Sequence, residues 1–283
     1  MNEQAGESVK VALITGAGGG LGSALCQCYL QAGWQVVATD LDVAPLEKLG
    51  KHAALTCLPL DVTSSDACHA VAAQIEQRFR RLDVLINNAG IMSYFPVIES
   101  DPESVIRHFQ INSFSALRTT HACLDLLVNS RGRVLNISSE SWRLRTGFMA
   151  YQSSKLCLEG LSDVMRRELQ HLGVQLCTVR PGAIDTQLFH AMTSIVNPLP
   201  HGRLAGVFQR FADTLQRHPP MRLSSTQQVA ERVYRASISR TMRPHVEMNN
   251  MWSLKVMSWL PAAWTDRIFH RLLSDRTARN GAD

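Results

Sequence analysis

Short apolar runs and longer amphipathic segments alternate along the first 180 residues of the chain. The short runs hold few polar positions, which predicts strands buried on both faces of a parallel sheet. These strands are Val11–Thr15, Gln35–Asp40, Ala54–Val62, a strand in LDVLINNAG that ends near Asn87, GRVLNIS and VQLCTV. The segments between them predict helices over Leu21–Ala32, Ser65–Arg80, about Pro102 to Val128, and Tyr151–Leu172. Strands joined by right-handed helical crossovers predict a doubly wound α/β fold that binds ligands at the carboxyl ends of its strands.

The pattern is less regular after Pro181. Residues 183–225 mix apolar groups with several prolines and predict a mobile substrate-binding insertion. A helix over Thr226–Arg240 and a last short strand in PHVEM are expected to follow. We therefore predict one domain over residues 1–283, with a flexible tail at 1–8 and a C-terminal extension at 250–283.

Composition excludes several classes of protein. The net charge is +5 without any long basic run, which disfavours nucleic-acid binding. The seven cysteines are scattered and form no CxxC pair, so we expect free thiols in a reducing cytosol and no metal site. The first ten residues are polar and no apolar run is long enough to span a bilayer. These observations predict a cytoplasmic protein.

The glycine-rich stretch TGAGGGLG follows the first strand and opens the first helix. Glycines at a helix N-terminus let backbone N–H groups approach a pyrophosphate and direct the helix dipole at it. The spacing is Gly16-x-x-x-Gly20-x-Gly22 with Gly18 inside it, and Leu21 stands where the GxGxxG motif has glycine. A glycine-rich turn without a ligand is the plain alternative, although the strand–turn–helix context favours a dinucleotide.

Asp40 ends the second strand and is followed by Leu41. A carboxylate there can accept both hydroxyls of an adenosine ribose and would repel a 2′-phosphate. No arginine stands nearby in the sequence to hold such a phosphate. The pattern therefore favours NAD(H) over NADP(H), although Asp40 alone would equally suit a loop aspartate that caps a helix.

Several further motifs occur in one frame, and with them the chain resembles the short-chain dehydrogenase/reductase superfamily. The motifs are TGAGGGLG, LDV ending in Asp61–Val62, NNAG at 87–90, Asn112, the serine pair Ser138–Ser139, Tyr151-x-x-x-Lys155 and RPG at 180–182. The resemblance covers residues 8 to 190. It implies a Rossmann-type sheet of seven strands, a nicotinamide cofactor, and a homodimer or homotetramer built on the long central helices.

The resemblance also assigns binding residues. It implies that Asp61 and Val62 border the adenine and that Asn88, Ala89 and Gly90 line the adenosine side. It further implies that the segment PGAIDT holds the nicotinamide amide through Pro181, Gly182, Ile184 and Thr186. Asn112 would hold a water that links Lys155 to solvent, and Lys155 would also bind the nicotinamide ribose.

Tyr151 and Lys155 stand four residues apart on a predicted helix and so present to the same side. Alcohol oxidation needs a base, and a tyrosine titrates near 10 unless a neighbouring charge stabilises its phenolate. A lysine cation together with the positive charge of NAD⁺ would lower that pKa. A Tyr–Lys pair at this spacing is most often ordinary surface packing, and only its combination with the other motifs favours catalysis.

A serine hydroxyl would hold the substrate oxygen, and two serines compete for that role. The end of the strand in VLNISS points to Ser139, whereas the commonest family spacing before Tyr151 points to Ser138. Strand position decides which way a side chain faces and loop length is the softer constraint. We therefore predict Ser139, with Ser138 as the alternative.

The C-terminal segment is unusually aromatic, with Trp252, Trp259 and Trp264 within thirteen residues. It could close a lipophilic pocket, bury a subunit contact, lie at a membrane interface or simply pack in the core. The segment loosely resembles the steroid- and retinol-dehydrogenase branch, which favours a bulky lipophilic alcohol or ketone. The apolar residues of the insertion and its surroundings agree with such a substrate: Met192, Ile195, Val196, Leu199, Leu204, Val207, Phe208 and Phe211, with Trp142 and Phe148 expected on the other side.

Two other functions are weighed against an NAD(H)-dependent alcohol dehydrogenase. The first is a carbonyl or 3-ketoacyl-type reductase that works in the reductive direction. The second is an NAD-sensing Rossmann protein without turnover. The retained Tyr151 and Lys155 disfavour the sensor, because sensors of this kind commonly lose one of them.

Overall fold

A computed structural model describes residues 9–144, 146–194, 202–217 and 223–274 of the chain. One sheet of seven parallel strands has the order β3-β2-β1-β4-β5-β6-β7. The strands are β1 Val11–Thr15, β2 Gln35–Asp40, β3 Leu55–Pro59, β4 Val84–Asn87, β5 Arg133–Ile137, β6 Gln175–Pro181 and β7 His245–Met248. The chain builds outward from β1 to β3 and then returns to place β4 on the other side of β1. The carboxyl ends of β1 and β4 therefore form the crevice where doubly wound folds bind ligands.

The sheet is covered by helices on both faces, which confirms the predicted Rossmann-type architecture. The α-helices are α1 Gly20–Gln31, α2 Ser65–Phe79, α3 Pro102–Phe109, α4 Ser115–Ala122, α5 Leu124–Ser130, α6 Ala150–His171, α7 Gln187–Ser194, α8 Ala205–Arg217, α9 Thr226–Ile238, α10 Trp252–Trp259 and α11 Ala262–Leu273. Short 3₁₀ helices cover Ala44–Leu49 and Glu140–Arg143, and a π-helical turn covers Gln110–Phe114.

Alternate residues of the central strand enter different cores. Ala12 and Ile14 of β1 face the core that α1 and α9 cover. Val11 and Leu13 face the core that α2, α5 and α6 cover. All four side chains are at most 1% exposed. This two-sided burial explains the uninterrupted apolar run of β1, because every residue of that strand is buried.

The predicted helix from Pro102 to Val128 is wrong as a single element. It is divided into α3, the π-helical turn, α4 and α5, with a break at Cys123, where φ is −98° and ψ is 11°. The Asn112 side chain in the π-helical turn accepts a hydrogen bond from the Ile91 N–H and donates one to the Ile91 carbonyl. Since a π-helical turn inserts one extra residue, it can re-aim a side chain without ending the helical path. Apolar periodicity continues through such a turn, so the sequence pattern does not show it.

The insertion after β6 is more regular than expected. It contains α7 and α8, and a bridge between Ile184 and Ser224 brings its two ends together. Residues 195–201 and 218–222 lie outside the described part, as do the predicted tail at 1–8 and residues 275–283.

The C-terminal extension forms two helices, α10 and α11. Within the described residues, neither these two nor any other helix is both long and apolar enough to cross a membrane.

Candidate active site

One cleft of about 1330 Å³ runs along the carboxyl ends of the strands. It brings together every predicted cofactor-binding residue, both candidate serines, Tyr151 and Lys155. Its lining includes Gly16, Gly18, Gly20, Leu21, Gly22, Asp40, Leu41, Asp61, Val62, Asn88, Ala89, Gly90, Ser138, Ser139, Pro181, Gly182, Ile184 and Thr186. Asn112 is the one predicted site residue that does not line it.

The glycine turn forms a tight connection between β1 and α1. Gly16 has φ +63°, and a Cβ at that position would lie 2.8 Å from the Ala89 Cα. A Cβ on Gly22 would lie 2.1 Å from the Gly16 carbonyl oxygen, so only glycine fits both positions. No side chain caps the N-terminus of α1. The first amides of that helix therefore face the cleft, where they suit an anionic group such as a pyrophosphate.

Asp40 is turned toward this turn at the end of β2. Its Oδ2 accepts a hydrogen bond from the Gly18 N–H (2.9 Å) and its Oδ1 accepts one from the Leu41 N–H (2.8 Å). Each carboxylate oxygen retains a lone pair, so both can still accept a hydroxyl. Lys48, on the 3₁₀ helix that follows β2, lines the same cleft. The sequence analysis searched for an arginine here and missed this lysine.

The NNAG segment after β4 is joined to the glycine turn. The Thr15 Oγ1 accepts hydrogen bonds from the N–H groups of Asn88 (3.0 Å) and Ala89 (3.1 Å). The Asn88 side chain in turn donates to the carbonyls of Thr15 and Gly16. These bonds hold the carboxyl ends of β1 and β4 side by side at the same edge of the sheet. Thr15 was not singled out from the sequence, although a polar residue ending an apolar strand marks the position.

Asp61 lies further along the same side of the cleft and organises its own turn. Its Oδ1 accepts hydrogen bonds from the backbone N–H and the hydroxyl of Thr63, and these bonds hold the pKa of the Asp61 carboxyl below its usual value. Val62 beside it is buried, at 8% exposure. The carboxylate is therefore ionised where the resemblance expects the adenine border.

Tyr151 and Lys155 occupy the first turns of α6. The Lys155 Nζ donates to the Ile137 carbonyl (2.8 Å) and lies 5.7 Å from the centroid of the Tyr151 ring. Burial lowers the pKa of Lys155 to about 8 and raises the pKa of Tyr151 to about 12. The lysine does not by itself lower the pKa of this phenol. The lower Tyr151 pKa that the sequence analysis expects would therefore depend on the positive charge of an oxidised nicotinamide.

The two serines have different surroundings. The Ser139 hydroxyl lies close enough to Tyr151 to oppose the rise in the Tyr151 pKa. The Ser139 Oγ also accepts hydrogen bonds from the N–H and the hydroxyl of Ser141. Ser139 thereby caps the short 3₁₀ helix. The Ser138 Oγ is buried without a hydrogen-bond partner in the described chain. Ser139 thus acts on Tyr151, whereas the Ser138 hydroxyl has no contact of this kind among the described residues.

Asn112 has less freedom than the sequence analysis expected. Its Oδ1 accepts from the Ile91 N–H, and its Nδ2 donates to the Ile91 carbonyl and to the Ser154 hydroxyl. Both side-chain hydrogens are therefore used, and only an oxygen lone pair could hold a water. A Cβ on Gly90 would lie 3.2 Å from this Oδ1 and 3.8 Å from the Lys155 Nζ. Asn112 is thus near the lysine, but its side chain holds the loop after Gly90.

The segment from Pro181 to Thr186 closes the opposite side of the cleft. The Gly182 N–H donates to the Met248 carbonyl (2.7 Å) at the end of β7. The Thr186 Oγ1 accepts from the Phe189 N–H at the start of α7, and its Cγ2 would lie 3.5 Å from a Cβ on Gly20. This segment therefore faces the glycine turn across the cleft.

Glu140 is a cleft residue that the sequence analysis missed. It is 6% exposed, and its Oε2 accepts a hydrogen bond from the Met251 N–H (2.6 Å) before α10. Burial raises the pKa of this carboxyl, and the Met251 bond opposes that rise. Its position directly after the serine pair at a strand end was the available signal.

An apolar wall closes the end of the cleft beyond Tyr151. Tyr94, Phe211, Leu215, Met251 and Leu254 line it. Phe148 and Phe208 stand behind Phe211, with ring centroids 5.2 and 6.4 Å from it.

The expectation that Trp142 and Phe148 flank the cleft is therefore wrong. Phe148 packs behind the wall. The Trp142 ring has the guanidinium carbons of Arg143 and Arg180 at 4.5 and 5.3 Å from its centroid. Of the other predicted substrate residues, Leu204 and Val207 pack against this phenylalanine cluster. Ile195, Val196, Leu199 and the Met192 side chain lie outside the described part.

Known proteins share this architecture. The family model for short chain dehydrogenases matches residues 10–195. The NADPH-dependent 1-acyldihydroxyacetone phosphate reductase of Schizosaccharomyces pombe is 34% identical over 189 residues, 64% of this chain and 62% of that protein. The mouse 17-beta-hydroxysteroid dehydrogenase type 6 is 32% identical over 191 residues, 66% of this chain and 60% of that protein. The crystal structure of a short-chain dehydrogenase from Streptomyces avermitilis superposes with TM-score 0.73 at 25% identity, covering 98% of this chain and 99% of the other.

Proposed function

Because the chain belongs to the short-chain dehydrogenase family, we propose that it interconverts a secondary alcohol and a ketone on a bulky lipophilic substrate with NAD(H). The observation that carries the proposal is the position of the Tyr151 hydroxyl. Tyr151 lies near Ser139, has the Lys155 Nζ 5.7 Å from its ring centroid, and lines one cleft together with the glycine turn and the apolar wall.

The polar end suits the nicotinamide cofactors that this family uses. The uncapped amides at the start of α1 are suited to the pyrophosphate, and the close packing of Gly16 and Gly22 leaves the turn open for it. A nicotinamide cofactor, when bound, accepts hydride from an alcohol carbon or supplies it to a carbonyl carbon.

The chain's own groups handle the proton. In alcohol oxidation Tyr151 takes the proton from the substrate hydroxyl at its Oη, and in ketone reduction it returns that proton. The Ser139 hydroxyl donates a hydrogen bond to the substrate oxygen and so holds it beside the phenol. The Lys155 Nζ, held by the Ile137 carbonyl, keeps positive charge below the tyrosine ring. Since burial keeps Tyr151 protonated in the free protein, the phenol is ready as the acid for reduction.

The preference for NAD(H) is proposed from Asp40. The Asp40 carboxylate lines the cleft at the end of β2, where an additional phosphate would meet its negative charge. The yeast relative named above is NADPH-dependent, and Lys48 places a cation near this point, so the preference needs a direct test. We expect Asp40→Ser to weaken NAD(H) use and improve NADP(H) use, with kcat/KM measured for both cofactors. Equal use of both by the unchanged chain would contradict the proposal.

The lipophilic substrate is proposed from the apolar wall. Phe211, Leu215, Met251 and Leu254 offer carbon surface next to the tyrosine hydroxyl and no charge. One mouse relative is named a steroid dehydrogenase, which agrees with this choice. A sugar or small polyol would leave its hydroxyls without partners against this wall.

The test measures reduction of NAD⁺ with steroids, retinol, long-chain alcohols and simple sugars, alongside Tyr151→Phe. We expect turnover with a lipophilic alcohol and a loss of at least about a hundredfold in the variant. Ser153→Ala, at an exposed position on the same helix, is the matched control. Turnover only with ketones or ketoacyl substrates in the reductive direction would favour the reductase. Cofactor binding without any turnover would favour the sensor.

We also propose a homodimer or homotetramer built on the long helices. Leu156 and Val164 on α6 and Leu117 on α4 are exposed large apolar side chains (38%, 51% and 43%). Light scattering of the chain with Val164→Glu against the unchanged chain tests this, with loss of the oligomer expected.

A further inference from the structure

The outer face of α10 carries two exposed tryptophans. Trp252 and Trp259 are seven residues apart, so they lie on one side of the helix, and they are 75% and 79% exposed. Leu254, on the opposite side, is buried and lines the cleft. The helix is therefore apolar on both sides, and its inner side already has a packing role. Among the described residues nothing buries these two tryptophans, so core packing, the plainest interpretation from the sequence, does not account for them there.

The neighbouring helix α11 repeats the feature. Trp264, Ile268 and Leu272 form a stripe at intervals of four residues and are 60%, 38% and 56% exposed. The inner face is held by Phe269 and Leu273 at intermediate burial, with the Leu273 carbonyl accepting from Arg210 on α8. The stripe faces away from these inner contacts.

The charge around the stripe is positive. Arg267 and Arg271 are adjacent to it on the helix and exposed, and neither forms an ion pair with any described residue. From Trp252 to Leu273 the sequence holds three lysines and arginines and one acidic residue, Asp266. An apolar aromatic stripe beside unpaired arginines has the chemistry of a helix that lies in the headgroup region of an anionic bilayer.

We propose that α10 and α11 form a membrane-binding surface, with the tryptophans of this surface in the headgroup region of an anionic lipid bilayer. A second copy of the chain fits less well, because a two-fold contact through the α11 stripe would bring like-charged arginines of the two copies near each other. Tryptophan also suits the interface between lipid and water, since its ring is apolar and its N–H is polar.

The surface lies next to the cleft. Met251 and Leu254 line the cleft from the same helix that carries Trp252 and Trp259 outside. A lipophilic molecule leaving the bilayer at α10 would therefore meet the apolar wall on the other side of one helix. The binding itself does not depend on the proposed reaction, and its test needs no substrate.

The experiment sediments the full chain with phosphatidylcholine vesicles, with and without phosphatidylserine. We expect binding to the anionic vesicles that weakens as salt is added. The variant W252S/W259S/W264S should lose about tenfold or more in vesicle affinity, since three exposed rings no longer enter the interface. Ile98→Ser is the matched control, because Ile98 is 86% exposed on the loop between β4 and α3, outside both helices, and it should bind as the unchanged chain does.

The arginines give a second, independent arm. R267Q/R271Q should lose about fivefold per arginine on anionic vesicles and little on neutral ones. Vesicles with bromine-labelled acyl chains should quench the tryptophan fluorescence of the unchanged chain and not that of W252S/W259S/W264S.

Three results would overturn the proposal. They are no sedimentation of the unchanged chain, equal binding of the tryptophan variant and Ile98→Ser, and a tryptophan effect seen only as loss of a dimer in light scattering. The last result would assign the surface to a second copy.

Discussion

The contrast between Ser138 and Ser139 gives the sharpest test of the catalytic assignment. Ser139→Ala removes the hydroxyl that opposes the rise in the Tyr151 pKa and that accepts the Ser141 N–H. Loss of one hydrogen-bond donor to a reacting oxygen costs about 10²–10³ in kcat. Loss of the helix cap should lower the free energy of unfolding by about 1 kcal/mol. Because the Ser139 hydroxyl opposes the rise in the Tyr151 pKa, its removal should move the pH at which the alcohol-oxidation rate rises to a higher value.

Ser138→Ala should behave in the opposite way. Its hydroxyl is 3% exposed and has no hydrogen-bond partner among the described residues. A buried hydroxyl without a partner costs about 1–3 kcal/mol, so its removal should raise the free energy of unfolding by about 1 kcal/mol. We expect kcat to stay within about threefold of the unchanged chain, far from the loss expected at an oxyanion donor.

Both variants are compared by steady-state turnover on the best alcohol of the panel and by urea unfolding. A Ser138→Ala variant that loses turnover, beside an active Ser139→Ala variant, would refute the reasoning from strand direction. Loss of activity in both would show that the hydroxyl of Ser138 binds a reactant.

Three further outcomes are expected. Glu140→Ala should lower the free energy of unfolding by about 1–3 kcal/mol, because the Met251 N–H loses its acceptor, whereas Glu140→Gln should retain most of it in the same urea titration. Thr15→Val should lower the free energy of unfolding by about 2–4 kcal/mol in calorimetry, because two backbone amides lose one shared acceptor. Thr241→Val, at an exposed bend, is its control. The free energy of unfolding should fall above pH 9 by about 1 kcal/mol per thiol up to pH 10, because unfolded thiols release protons first. The thiols concerned have pKa values that burial raises to about 12: Cys26, Cys123 and Cys177. The lowered pKa of Lys155 raises the free energy of unfolding as the pH rises above 8, but this one group only partly offsets the three thiols. A free energy of unfolding that does not change between pH 9 and 10 would contradict the burial of the thiols.

The strands were predictable because each is a buried apolar run. The bounds of Val11–Thr15 and Gln35–Asp40 are those expected from the sequence. The strand expected over Ala54–Val62 ends earlier, at Pro59, because Asp61 bonds the backbone and hydroxyl of Thr63 and forms a turn. Local apolar pattern thus predicts where a strand exists, and side-chain bonds decide where it ends.

The candidate site was predictable where its residues follow strand ends. The glycine turn, Asp40 and the NNAG segment all come directly after buried runs, so topology alone brings them to one edge. Glu140 and Lys48 were missed because their roles depend on contacts with distant or weakly patterned segments. Glu140 meets Met251, more than a hundred residues later, and no local pattern reports that contact.

Part of the support for the serine loop lies beyond the family-matched segment. Glu140 accepts from Met251, and Arg143 pairs with Glu247, which also pairs with Lys255. Residues 10–195 hold every predicted site residue, but these partners belong to β7 and α10. During synthesis from the N-terminus, the first six strands and the Tyr–Lys helix can form before the serine loop acquires its supports. We therefore expect the serine loop to reach its final position only after β7 and α10 have been synthesised.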